Sequence, residues 1–240
     1  MRRYSSREEA GRRLARSVEH LRGADNVVLA LPRGGLPVAR EVARALGAPL
    51  DVLVVRKLGV PWHPELAMGA IAEGGIRVLN DEVIRISRIG AESIEHVQAH
   101  EQVELERRGA LLRSGRERVA LSGRTAVIVD DGMATGATAA VACLAARAAG
   151  ATRVVLAVPI ASPEASSRVA RDADEVICPW TPPGYDSVGA AYSDFHQLSD
   201  DEAAGILRDR HPARQHVRAS SDPSSYLRVA FVSQITHNGP

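Results

Sequence analysis

Ala126-Val127-Ile128-Val129-Asp130-Asp131-Gly132-Met133-Ala134-Thr135-Gly136-Ala137-Thr138 is the stretch on which the reading of this chain turns. An apolar run ends in two acids, small residues follow, and the spacing predicts a strand, a loop and a helix with Thr138 in its first turn. In an open parallel sheet, ligands sit beyond the carboxyl ends of the strands. The free amides and the dipole of the following helix make an anion site there. Ala134, Thr135, Gly136 and Ala137 are small enough to let a phosphate reach the backbone, and the Thr135 and Thr138 hydroxyls add donors. Asp130 and Asp131 repel a phosphate; they suit ribose hydroxyls or a hydrated Mg²⁺. A phosphate cradle beside two diol-binding carboxylates reads as a ribose 5-phosphate site. The bland alternative is a plain strand–turn–helix with a capping aspartate. A Walker-type loop is excluded, because no Gly-Lys-Ser/Thr follows the glycine.

Outward from this stretch, apolar runs and helical patterns alternate. Strands are predicted over 27–31, 50–55, 126–129, 154–158 and 175–178, and helices over 6–21, 36–46, 137–149 and 163–171. Strands separated by helices imply right-handed crossovers and a parallel sheet covered on both faces, so the fold class is α/β. Two short strands are expected over 68–72 and 76–79, around Gly74-Gly75. Residues 56–64, with Gly59, Pro61 and Pro64, read as an irregular loop. Residues 80–113 are rich in Glu, Arg and Gln and read as an inserted helical arm. The domain is expected to span 1–208, with a hood over about 179–198 and a flexible tail over 209–240.

Composition narrows the class of protein. Thirty basic residues stand against 29 acidic ones, for a formal charge of +1, which argues against a dedicated nucleic-acid or membrane-surface protein. Aromatic content of 3% makes the core aliphatic. Cys143 and Cys178 have no CxxC spacing and read as buried free thiols in a reducing compartment. The charged start of the chain, without an apolar stretch, is expected of a cytoplasmic protein with no export signal. Lys57 is the one lysine in a chain that otherwise uses arginine.

The apolar run, the two acids, three variable residues and then Thr-Gly-x-Thr resemble the phosphoribosyl pyrophosphate (PRPP) signature of type I phosphoribosyltransferases. The resemblance covers about residues 25–200 and implies that family's parallel-sheet fold. By resemblance, Asp130 and Asp131 hold the ribose hydroxyls, and Gly132, Met133, Ala134, Thr135, Gly136, Ala137 and Thr138 wrap the 5-phosphate. Leu31-Pro32-Arg33-Gly34-Gly35 falls where the family binds pyrophosphate through a loop that often carries a cis peptide, expected here at Arg33–Gly34. Arg56 and Lys57 fall where the family places a basic residue leading into a mobile lid, expected over 58–67.

The implied reaction displaces pyrophosphate from PRPP with a base-like nitrogen nucleophile. Mg²⁺ travels with PRPP, near Asp130 and Asp131, and Lys57, Arg33 and Asp131 carry the chemistry. Trp180 and Tyr185 of the hood are the residues expected against the base. Glu65 and Asp186 are left open as a general base, and the acceptor's identity stays open. A homodimer is expected. The alternatives are a PRPP- or nucleotide-sensing regulator without turnover and a hydrolase using the same site. His96 and His100 are spaced as a zinc-binding pair could be, but without a third ligand they read as a solvated helix face.

Overall fold

The structure, a computed structural model, describes residues 3–23, 25–184 and 187–209. Five parallel strands form the central sheet: β1 (Asn26–Ala30), β2 (Leu50–Val52), β6 (Thr125–Val129), β7 (Arg153–Ala157) and β8 (Glu175–Ile177), in the order β2-β1-β6-β7-β8. The expected α/β class is what the chain adopts. Every residue of β1 is buried, as a continuous apolar run predicts for a strand covered on both faces.

Alternate residues feed two separate cores. Val28, Ala30, Val127, Val129 and Val155 pack with Leu14 of α1 (Arg7–Ser17), Leu36 and Val42 of α2 (Gly35–Leu46), Leu105 and Leu112 of α4 (Ala91–Arg113), and Leu207 of α7 (Asp200–Arg208). Val27, Leu29, Ile128, Val154 and Leu156 face the opposite side. There they meet Ala142 and Cys143 of α5 (Ala137–Ala148) and Val169 of α6 (Pro163–Val169). Each such Val, Leu or Ile contributes about 1.5–3 kcal/mol by leaving water. Neither cysteine is in a disulfide, and burial pushes the Cys143 thiol up to about 12 and that of Cys178 up to about 11.

Three expectations change. The strand expected over 50–55 stops at Val52, and a second, antiparallel sheet begins at Val55. This sheet consists of β3 (Val55–Val60), β4 (His63–Ala72) and β5 (Ile76–Leu79). The region expected to be an irregular loop and mobile lid is therefore a hairpin turning at Pro61 and Trp62. Its glycine and prolines are absorbed by register shifts on either side of Gly59, whose backbone lies against Pro64. The arm over 80–113 is two helices, α3 (Asp81–Ile86) and α4, with Arg88 in a left-handed conformation between them. Helix α7 is an addition to the expected elements, although Ser199 and Glu202 form a complete capping box at its start.

A buried charge cluster fastens α4 to both sheets. Arg113 donates to Asp51 Oδ1 at 2.9 Å, to Glu73 Oε1 at 2.5 Å and to the Val52 carbonyl at 2.7 Å. The other carboxylate oxygens receive the Val119 and Val54 amides. No helix among the described residues is long and apolar enough to cross a membrane. Most of the expected tail, along with Tyr185 and Asp186, lies outside the described residues.

Candidate active site

From β1 the chain moves to β2 on one side of the sheet and to β6 on the other, so the carboxyl ends of β1 and β6 flank the point where strand order reverses. Crevices of this kind accept ligands in open α/β sheets. The loops 31–35 and 130–136 meet there. The Leu31 amide donates to the Val129 carbonyl at 2.9 Å. Gly34 lies so close to the Asp131 carboxylate that a β-carbon on it would collide with Oδ2. A non-proline cis peptide is present in the first loop at Pro32–Arg33, one bond before the position expected from resemblance.

The second loop carries two kinds of residue. Gly132 and Met133 are buried, and the Met133 amide donates to the Ile160 carbonyl at 2.9 Å, which pins the loop to the end of β7. Ser162 donates to the Ala134 carbonyl at 3.0 Å. Ala134, Thr135, Ala137 and Thr138 are exposed. Gly136 holds φ at +76°, and a β-carbon there would meet Val169 Cγ2 at 2.9 Å. Gly136 has no side chain to cap α5, and the Ala137 amide at its start makes a long 3.4 Å donation to Thr135 Oγ1, in the place where helix amides receive anions.

The two aspartates sit in unlike environments. Asp130 keeps part of its surface open, whereas Asp131 is buried. Arg7 of α1 donates from Nε to Asp131 Oδ2 at 2.7 Å and from Nη1 to the His196 carbonyl at 2.8 Å, and its guanidinium lies 3.9 Å from the Phe195 ring centre. Tyr192 donates its hydroxyl to the Asp131 carbonyl at 2.5 Å, and burial raises its phenol pKa, so the proton stays. Burial and the charge of Asp131 push the Asp130 carboxyl well above the usual range. Burial also raises Asp131, while Arg7 pulls it back down. The two acids expected at a ribose differ in their partners: Asp130 Oδ1 accepts the Asp131 amide at 2.9 Å, and the Asp131 carboxylate, held by Arg7, ties the hood to the sheet.

The three cations expected near a leaving group each have a carboxylate partner. Arg33 pairs with Asp200 of α7 at 3.3 Å, and Lys57 with Glu65 at 3.5 Å. Arg56 donates from Nε to Glu101 of α4 at 2.7 Å. Arg56 and Lys57, with Thr138 of α5, line a cleft of about 730 Å³. Its far wall is α4, which brings His96 and His100 to the cleft, so the pair expected only to be a solvated face borders this opening. Among the described residues, no three His, Cys, Asp or Glu side chains are grouped to hold a metal.

The hood takes in more than the C-terminal segment. The Tyr4 amide donates to the Ala191 carbonyl, and Ser193 and Asp194 donate back to the carbonyls of Tyr4 and Ser5. Trp180 is half-buried, edge-on to Tyr4 with ring centres 5.6 Å apart, so part of the ring expected to meet a base is spent on the hood's own packing. Sequence reasoning missed Tyr4 and Arg7, and it grouped Tyr192 with the hood aromatics without its hydrogen bond to Asp131. For Arg7 a signal was present: it sits three residues before Ala10, on the same helical stripe that buries Ala10 and Leu14.

Comparison with known proteins gives the family and the fold. The profile described as the phosphoribosyl transferase domain matches residues 5–185. Phosphoribosyl transferases so named in two strains of Mycobacterium tuberculosis, CDC 1551 and H37Rv, are each 54% identical over 211 residues, covering 88% of this chain and 48% of the relative. The chain thus spans about half the length of these curated relatives. The crystal structure of TT1426 from Thermus thermophilus superposes with a TM-score of 0.77 at 43% identity, covering 85% of this chain and 97% of that one. On the match over residues 5–185, this chain belongs to the phosphoribosyl transferase domain family.

Proposed function

We propose that this chain catalyses transfer of the phosphoribosyl group of PRPP to a base-like nitrogen nucleophile. The observation that carries the reading is the position of Asp130, a partly exposed residue beside the start of α5, at the point where strand order reverses. The amides after Gly136 and the hydroxyls of Thr135 and Thr138 take the 5-phosphate, and Asp130 accepts from the ribose hydroxyls. The bond from C1 to pyrophosphate breaks as the bond from C1 to nitrogen forms, and the nucleophile's proton passes to the departing pyrophosphate. Charge builds on the departing pyrophosphate, and a cation released from its carboxylate partner stabilises it. Lys57 is suited to this, since its partner Glu65 is exposed and readily displaced.

Mg²⁺ fits as an ion brought by the diphosphate, because it binds through one or two carboxylates plus phosphate oxygens. Asp130 would hold it, and its chemistry there would be to neutralise phosphate charge. No protein cage is needed.

The test is calorimetric binding of PRPP with Mg²⁺ to wild type and Asp130→Asn, followed by a panel of purine and pyrimidine bases read by pyrophosphate release. Loss of PRPP binding in the variant, and release with at least one base, are expected. Equal PRPP affinity in the two proteins would remove the ribose assignment. PRPP binding without release for any base would favour a sensor over a transferase.

A further inference from the structure

The cleft beside β3 has a wall that the PRPP signature does not account for. Arg56, Lys57 and Glu65 of the hairpin form one side, and His96, His100 and Glu101 of α4 form the other. Residues four apart on a helix share a face, so α4 presents both histidines together. Both side chains are exposed, on a helix that is firmly held. Ile94 and Leu105 are buried, Glu101 is tied to Arg56, and Arg113 is locked into its cluster at the helix end.

The charge of the cleft depends on this pair. Arg56 is paired with Glu101 and Lys57 with Glu65, so these four groups cancel. No other ionisable residue besides the histidines lines the cleft among the described residues. Around them on α4, Glu92 and Glu95 flank His96, Glu101 lies 3.5 Å from His100, and Glu104 is bound by Arg107. From β5, Arg77 donates to Gln98. With neutral histidines the cleft has no net charge; with both protonated it becomes an anion site, opening beside Thr138 of the phosphate loop. Histidine is the side chain that makes this change near neutral pH.

We infer that His96 and His100 complete a subsite for a compact polyphosphate anion, a diphosphate above all, on the inserted helix. The naming of the diphosphate rests on the phosphoribosyl reading, and its source is either the diphosphate arm of PRPP or free pyrophosphate. Bound diphosphate favours the protonated pair, so affinity gains a component that grows as pH falls through the histidine range.

The experiment titrates the full chain, in Mg²⁺ buffer, with inorganic pyrophosphate and separately with PRPP. It is done at about pH 5.5 and about pH 8. Wild type is compared with His96→Asn/His100→Asn and with the fixed-charge His96→Arg/His100→Arg; thermal melting checks that the variants fold. The ligand's own titration cancels in each ratio of wild type to variant.

Wild type is expected to bind pyrophosphate about ten-fold more tightly than the Asn variant at the lower pH and within about two-fold at the higher. The Arg variant is expected to remain tight at both. A ratio that is the same at both pH values overturns the subsite. PRPP binding that depends on Asp130, together with such a flat ratio, sinks the subsite alone. Histidine-dependent pyrophosphate binding without PRPP binding leaves the subsite standing and removes the phosphoribosyl reading. Binding of neither ligand removes both.

Discussion

Arg7 Nε lies 2.7 Å from Asp131 Oδ2, and this one contact joins the first helix, the hood and the acidic pair of the site. Both side chains are about nine-tenths buried. Removing one partner of a buried pair leaves an uncompensated charge, which costs about 3–5 kcal/mol. Arg7→Met is therefore expected to lower unfolding stability by at least about 2 kcal/mol in urea, since Met keeps the packing on Phe195 and Asp131 can take up a proton. A change of under about 0.5 kcal/mol, the usual size for a surface substitution, would mean that the contact holds nothing together.

Asp130 costs the folded chain stability when it is ionised. Its carboxyl is pushed up in the folded chain, first by burial and then by Asp131. Between the ordinary carboxylate value of about 3.9 and this raised value, the folded state binds the proton more tightly than the unfolded state. Stability therefore falls as pH rises through that window, and the deficit persists above it. Asp130→Asn is expected to melt about 2–4 °C above wild type near neutral pH, with the gain shrinking towards pH 4. Melting curves across that range decide it: a gain that does not depend on pH would assign the effect to something other than this proton.

Arg113 holds two buried carboxylates, Asp51 and Glu73. Arg113→Met would strand Asp51 and Glu73 in the interior, with an expected loss of about 3–5 kcal/mol. The triple change Arg113→Met/Asp51→Leu/Glu73→Leu also removes those stranded charges, although the Val119 and Val54 amides then lose their acceptors. Recovery of at least half the loss in the triple variant, read by denaturant unfolding, is expected; no recovery would show that geometry rather than stranded charge sets the cost.

Lys57 tests the chemical step. Its alanine variant is expected to reduce kcat about a hundred-fold or more while changing PRPP affinity about three-fold or less. Equal losses in the two would make Lys57 a ground-state binding residue.

Local patterns are enough for the sheet, because a buried parallel strand is a short continuous apolar run and β1, β6 and β7 all read that way. The same holds for the phosphate loop, whose small residues and opening helix are adjacent in the chain. The hairpin over 55–72 is not legible, since Gly59, Pro61 and Pro64 signal a loop to any local rule. Only pairing of β3 with β4 shows that the register shifts absorb them. Helix α7 is short, and its one local signal is the capping box at Ser199 and Glu202, which apolar periodicity does not register.

Residue order along the chain determined the α/β class, the position of the acidic pair and the loop that follows it. Tertiary structure alone decided which acid is paired with an arginine, because the partner of Asp131 lies 124 residues away on the first helix. It also decided that the inserted helix walls the cleft at Lys57. Periodicity and spacing act within a few turns of chain, whereas ion pairing and cleft formation depend on which distant segments the two cores press together.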